Sequence, residues 1–379
     1  MRFMEADRLT CEELLPGLLD ALAEIPLAEL ESEKNPAIEL FREHGGTNLV
    51  VPAAYGGLDA TALQAARVVR ALAAVAPSMA VATAMHHFSV GTLFGVAETF
   101  GAGTDLDDAL LRQIARNRWL VASGFAEGRT EQGILSPTME ARPTAGGYLV
   151  SGSKKPCSLS RSMDLFTGSV GMRREDGSVE MGFLMLPATT PGIEVVPFWG
   201  SFALAGAQSD EVRLTDVEVT DAQILQPPAD LLAELSELQQ VGLIWFEMTV
   251  CATYTGIASA LVQRVLDAKR GAAADRAALA VRIESAAALV EGLARRVMDG
   301  EVDNDTLATS LATRFTVQEL VRTTVGEAVE LLGGMAFVGS SDVAYLSAAA
   351  QAVAFHPPSR TSMIDGLLGY YAGEPLVVQ

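Results

Sequence analysis

Residues 146–152 read Gly-Gly-Tyr-Leu-Val-Ser-Gly: two glycines for a turn, a short strand-like run, and a glycine that closes it. Further on, Gly182–Leu186, Gly192–Val196 and Glu211–Leu214 are similar short runs bounded by Gly, Pro and Asp. Asp176-Gly177 predicts a hairpin turn between two of them. The strand signal begins near Trp119 and ends at Pro227-Pro228. Closely spaced short strands with no intervening helical pattern predict a compact β-barrel or sandwich, not βαβ units.

Both flanks are helical. Upstream, Leu9–Leu30 and Thr61–Val75 place apolar residues at i, i+3 and i+4, and Pro77-Ser78 opens a further helix through Met79–Phe94. Asp59, followed by Thr61, is the candidate N-cap of the second helix. Downstream, Leu231–Lys269, Asp275–Asp299, Asp303–Leu332 and Ser340–Phe355 predict four long helices, with Gly333-Gly334 and Pro357-Pro358 as terminators. The expected fold is α+β: an N-terminal helical domain over 1–119, a middle β domain over 120–228 and a C-terminal four-helix bundle over 229–379.

Composition narrows the function. Of 379 residues 49% are apolar, and the formal charge is −20. Ample apolar material argues against disorder, and an acidic chain lacks the basic stripe that nucleic-acid binding needs. Cys11, Cys157 and Cys251 form no CxxC pair, and no histidine array has metal-ligand spacing, so no metal is expected. The acidic N-terminus MRFMEADRLTCEELLPG lacks the apolar run of a signal peptide, which predicts a cytoplasmic protein. Val241–Val262 has one charge, Glu247, in 22 residues. Without flanking Lys/Arg clusters, and with a carboxylate inside, it reads as a buried core helix and not a membrane span.

Six pieces, in order, carry a resemblance. Val51-Pro52-Ala53-Ala54-Tyr55-Gly56-Gly57 resembles a VPxxYGG turn, and Ala126-Glu127-Gly128 stands at a Thr-Glu-Pro position. Residues 147–154 (GYLVSGSK) are similar to GYxLNGxK. Pro191-Gly192-Ile193, Ala207–Val217 and Leu331-Leu332-Gly333-Gly334 are similar to PGV, GSxxxxVxxxDVxVP and LxGGxG elements. The chain therefore resembles the acyl-CoA dehydrogenases over almost its whole length. The resemblance implies FAD, a homodimer or homotetramer, and α,β-dehydrogenation of an acyl thioester by a carboxylate base and a flavin hydride acceptor.

Carried over by position, the flavin-contacting residues are Phe125, Ala126, Glu127, Pro156 and Ser158, with Arg270, Glu330, Gly333 and Gly334 toward the C-terminus. Ser158 keeps the hydroxyl of a flavin-bonding Thr, while Ala126 and Pro156 replace a Thr and a Trp. Arg270 matches a pyrophosphate-holding Arg, but Gly271–Ala274 and Ser347–Ala350 replace the usual partners. Lys154, Lys155 and Arg161 form a candidate phosphate- or carrier-facing patch. The family's loop Glu is missing: the stretch reads Phe355-His356-Pro357-Pro358-Ser359.

Two residues are left as acid or base candidates. Glu247 lies in the helix from which a branch of the family takes its base, one residue, or about 100°, off register. Its alternative is a glutamate paired with an arginine or facing a water-filled gap. His356 is the second candidate, or a helix-end residue. The leading expectation is oxidation of an acyl or aminoacyl thioester, on CoA or a carrier protein, in secondary metabolism. A flavin monooxygenase on the same fold, which needs no α-proton base, and a flavin-free scaffold subunit are the alternatives.

Overall fold

The computed structural model describes residues 2–100, 108–128, 137–173, 179–225 and 232–378, with side chains of 96–100 and 232–239 left out. The predicted hairpin turn at Asp176-Gly177 lies outside the described residues.

The N-terminal helices are α1 (Glu5–Leu14), α2 (Leu18–Ala23), α3 (Leu27–Leu30), α4 (Ala37–Glu43), α5 (Ala62–Ala73), α6 (Pro77–Phe100) and α7 (Asp108–Arg116). The single helix expected over Leu9–Leu30 is thus three pieces. Gly17 takes φ +78°, and Pro26 lacks the N–H that a continuing helix needs. Thr61, not Asp59, caps α5: its side chain accepts from the Gln64 N–H, and Gln64 returns a bond to the Thr61 N–H.

The tyrosine turn before α5 is a packing device. A Cβ on Gly57 would sit 1.9 Å from the Val51 carbonyl oxygen, so only glycine closes it. Tyr55 then lies edge-on to Phe94 of α6, with the Arg112 guanidinium of α7 over its ring.

Eight strands follow among the described residues: β1 (Val121–Gly124), β2 (Glu140–Thr144), β3 (Gly147–Cys157), β4 (Leu165–Arg173), β5 (Val179–Pro187), β6 (Ile193–Val196), β7 (Asp210–Val219) and β8 (Ile224–Leu225). They form one hydrogen-bonded sheet in the order β6-β7-β3-β2-β4-β5-β8. Strand β4 pairs antiparallel with β5, and its other edge is shared by β1 and β2, both parallel to it. Strand β3 carries two register shifts against β7, which bend it and lead its end toward the loop after β1.

The C-terminal helices are α8 (Leu232–Asp267), α9 (Ala273–Met298), α10 (Asn304–Leu332), α11 (Gly334–Gly339), α12 (Ser341–Gln351) and α13 (Arg360–Tyr371). Asp303 caps α10 through the Thr306 N–H, and Gly333 stops it at φ +84°. Helix α8 packs against α5, α6, α9, α10 and α12. Its close approach to α5 requires Gly256, whose Cβ would meet the Arg70 carbonyl at 2.3 Å. Residues 240–267 are long and apolar enough to cross a membrane, but 78% of that apolar window is buried inside the protein. One core runs from the N-terminal helices through the sheet to α8–α12, with a smaller cluster under Tyr55 and α7. The proposed boundary at 119/120 falls between α7 and β1, and the one at 228/229 lies outside the described residues.

Candidate functional site

A row of aromatic rings connects the sheet to the helices. Phe183 of β5 stands 6.1 Å from Phe125, which follows β1; Phe125 stands 6.1 Å from Phe88 of α6, and Phe88 5.7 Å from Phe246 of α8. The row ends on His356, 6.1 Å from Phe246 and 5.3 Å from Tyr254. All four phenylalanines are half-buried, unlike the closed core around them. They form a half-buried apolar row across three parts of the chain.

At the end of the row lies a buried polar cluster. Glu247 and Arg314 are 0% and 1% exposed, and Arg314 Nη1 donates to Glu247 Oε2 at 3.3 Å. Arg314 Nη2 also donates to the Val353 carbonyl. The second carboxylate oxygen, Oε1, has no hydrogen-bond partner. Desolvation raises the Glu247 pKa to about 7, against the pull of Arg314. Tyr254 Oη and His356 Nε2 are 2.7 Å apart. Burial, and then the Arg314 charge, hold His356 well below its usual value, so its imidazole is neutral. The structure thus brings Glu247 and His356 into one neighbourhood, through two residues that sequence reading passed over, Arg314 and Tyr254. Arg314 carried a signal: it sits three residues from both Leu311 and Val317 on the buried stripe of α10.

The loop residues also assemble. The Ala126 carbonyl accepts from the Lys155 N–H at 3.0 Å, which sets Phe125–Glu127 beside Pro156. Ser158, just beyond, shares a 2.9 Å hydrogen bond with Ser209. Glu127 is a clamp and not an open ligand. It takes the buried Lys154 ammonium, and its other oxygen accepts from Thr138 N and Oγ1.

That pairing overturns the basic patch expected at Lys154, Lys155 and Arg161. Lys154 is fully buried against Glu127 and Ser169. Lys155 pairs with Glu211, and Arg161 with Asp210 and Glu33. In a chain with 47 acidic residues, each of these three cations has found a carboxylate, so together they do not form a bare patch for a carrier phosphate. Cys157 is buried, and desolvation pushes its thiol to about 12, so it is a packed structural residue.

Arg270, Glu330, Gly333 and Gly334 gather elsewhere. The turn after α8 packs on the end of α10, where a Cβ on Gly271 would touch Leu331. Arg270 and Glu330 are exposed there. From Glu247 to the end of α8 is about 30 Å at the helical rise. One chain therefore does not bring this group to the aromatic row.

Comparison with known proteins places this architecture. The family description "Acyl-CoA dehydrogenase, N-terminal domain" matches residues 8–100. Isobutylamine N-hydroxylase of Streptomyces viridifaciens is 47% identical over 378 residues, covering 100% of both chains. The chain is a divergent member of the acyl-CoA dehydrogenase family. Across this family, an amino sugar nitrososynthase of Streptomyces peucetius is 25% identical over 96% of this chain and 95% of its own. The FMN-bound structure of TdsC from Paenibacillus sp. A11-2 superposes with TM-score 0.82 at 17% identity, covering 99% of each chain. These names match the second sequence reading, oxygenation, and not thioester dehydrogenation.

Proposed function

We propose that this family member is a flavin-dependent monooxygenase that N-hydroxylates a small aliphatic primary amine. The observation that carries the reading is the full-length 47% identity to isobutylamine N-hydroxylase. The site supports it, because the loop carboxylate of the dehydrogenases is replaced by His356 and its neighbours, and this oxygenation needs no α-proton base.

The residues present suit a flat heteroaromatic group. Half-buried rings form an apolar row, Ser158 and Ser209 offer paired hydroxyls near the end of β3, and Glu247 Oε1 and Ser89 Oγ are buried polar atoms without partners. A reduced flavin, FAD or FMN, would activate dioxygen there, so that amine, oxygen and reduced flavin give hydroxylamine, water and oxidised flavin. Phe88, Phe125, Phe183 and Phe246 exclude water and bind the alkyl group. Ser158 and the Ala126–Glu127 backbone would hold the flavin, on a loop fixed by the Glu127–Lys154 pair. Tyr254 and neutral His356 share a hydrogen bond at the far end of the row, beside Glu247. Arg270, Glu330, Gly333 and Gly334 reach such a site only from a neighbouring copy in a homo-oligomer.

The test supplies reduced flavin, ¹⁸O₂ and isobutylamine, with mass spectrometry of the products. The expected product is N-isobutylhydroxylamine carrying one labelled oxygen. Absence of an oxygenated amine from a panel of small amines, or anaerobic bleaching of bound flavin by acyl-CoA, would overturn the reading.

A further inference from the structure

Of the buried side-chain atoms that lack a hydrogen-bond partner among the described residues, Glu247 Oε1 is the one that belongs to a carboxylate. It is a carboxylate oxygen at 0% exposure, its sister oxygen is tied to Arg314, and no donor reaches it. A buried acceptor left unpaired is costly, so a site that keeps one has a donor to receive. The charged and titratable groups around it are few. Arg314 faces it from α10, Cys251 and Tyr254 share its stripe of α8, and His356 lies beyond Tyr254. The other helices packed on α8 turn their described charges elsewhere. On α6, His86 and His87 face Phe41; on α5, Arg70 pairs with Asp7; on α9, Glu291 pairs with Arg67 and Arg70; on α12, Asp342 pairs with Arg264. Arg314 Nε is a buried donor also left unpaired, but it does not reach Oε1. A ligand that donates to Oε1 would meet the ring row at Phe246.

We propose that Glu247 Oε1 is the docking atom for the nitrogen of a small primary alkylamine, with Arg314 fixing the other carboxylate oxygen and Phe88 and Phe246 taking the alkyl group. This rests on the functional reading above and assigns the atom that selects the amine. Amine and carboxylate together hold one proton. When it moves from the ammonium nitrogen to Oε1, the nitrogen regains its lone pair, which oxygen transfer to nitrogen requires. No other atom or electron moves in this step. Arg314 acts through Glu247 and is a positioning residue.

Proton counting tests the assignment without turnover. A primary alkylammonium ionises near the lysine value, about 10.4, so it arrives protonated. With Glu247 ionising near 7, binding at pH 6 releases about 0.9 proton per amine, and at pH 8 about 0.1. The measurement is calorimetric titration of the protein loaded with oxidised FAD or FMN, using isobutylamine in two buffers of different ionisation heat. Equal release at both pH values overturns the proposal. Glu247→Gln is expected to weaken amine binding at least tenfold and to leave isobutanol binding within twofold. An E247Q protein that binds amine within twofold of the wild type overturns it as well, and if wild type still makes hydroxylamine, the functional reading survives alone. A wild-type protein that neither binds amine nor oxygenates it removes both. The proton count on wild type decides the matter even if E247Q fails to fold.

Discussion

Replacing Arg314 by methionine keeps an unbranched apolar stem and removes the charge. Arg314 is 1% exposed and donates to Glu247 and to the Val353 carbonyl, so R314M leaves a buried carboxylate and a carbonyl without donors. Breaking a buried pair from one side costs about 3–5 kcal/mol while the remaining charge stays ionised. Glu247 has an escape, since it can take up a proton. Burial holds its pKa near 7 even with Arg314 pulling it down, so without Arg314 it rises further. A carboxylate whose folded pKa lies above the unfolded value, about 4.3, binds more protons when folded, and stability falls as pH climbs to the folded pKa. In the wild type that fall ends near pH 7; in R314M it continues at about 1.4 kcal/mol per pH unit. The gap between the two proteins therefore widens by about 1 kcal/mol between pH 7 and pH 8. Urea unfolding midpoints at pH 6, 7 and 8 read it directly. E247Q combined with R314M should remove the pH dependence. A gap that stays constant with pH, or a loss under about 1 kcal/mol at pH 8, refutes the coupling.

Three further outcomes follow from other buried contacts. Lys154→Met strands Glu127 without a cation and is expected to cost about 3–5 kcal/mol by urea unfolding, with flavin affinity falling as the 125–127 loop loosens. Arg67 and Arg70 hold Glu291 down to about 2, so its contribution is complete above its unfolded pKa and lost as pH falls from about 4.5 toward 2. Acid unfolding should therefore shift to higher pH in Glu291→Gln, and an unchanged acid midpoint counts against the pairing. Gly57→Ala forces a Cβ to within 1.9 Å of the Val51 carbonyl and should lower stability by about 1–3 kcal/mol, which differential scanning calorimetry would detect.

Glu247 alone shows the limits of reading along the chain. A single charge in 22 apolar residues already marked it as buried and in need of a partner. That the partner is Arg314, 67 residues away, was not legible, because a helix pattern gives the buried face but not what packs on it. The reverse error occurred at Lys154, Lys155 and Arg161. Three cations close in sequence suggested a patch, but their carboxylates stand 27, 56, 49 and 128 residues away. Phe88, Phe183 and Phe246 come from α6, β5 and α8, and Phe125 follows β1, so no local spacing announces the row they form.

Local rules were enough where the causes are local. Short strands punctuated by glycine, and helices ended by Asp303 and Gly333, follow from backbone freedom, capping and periodicity within a few residues. Helix–strand–helix order, the buried α8 and the family resemblance are therefore properties of the sequence alone. Which charges neutralise one another, which carboxylate oxygen is left without a donor, and which rings stand in one row depend on contacts between distant segments. Electrostatic and packing energies act through space, and only the folded chain sets those distances.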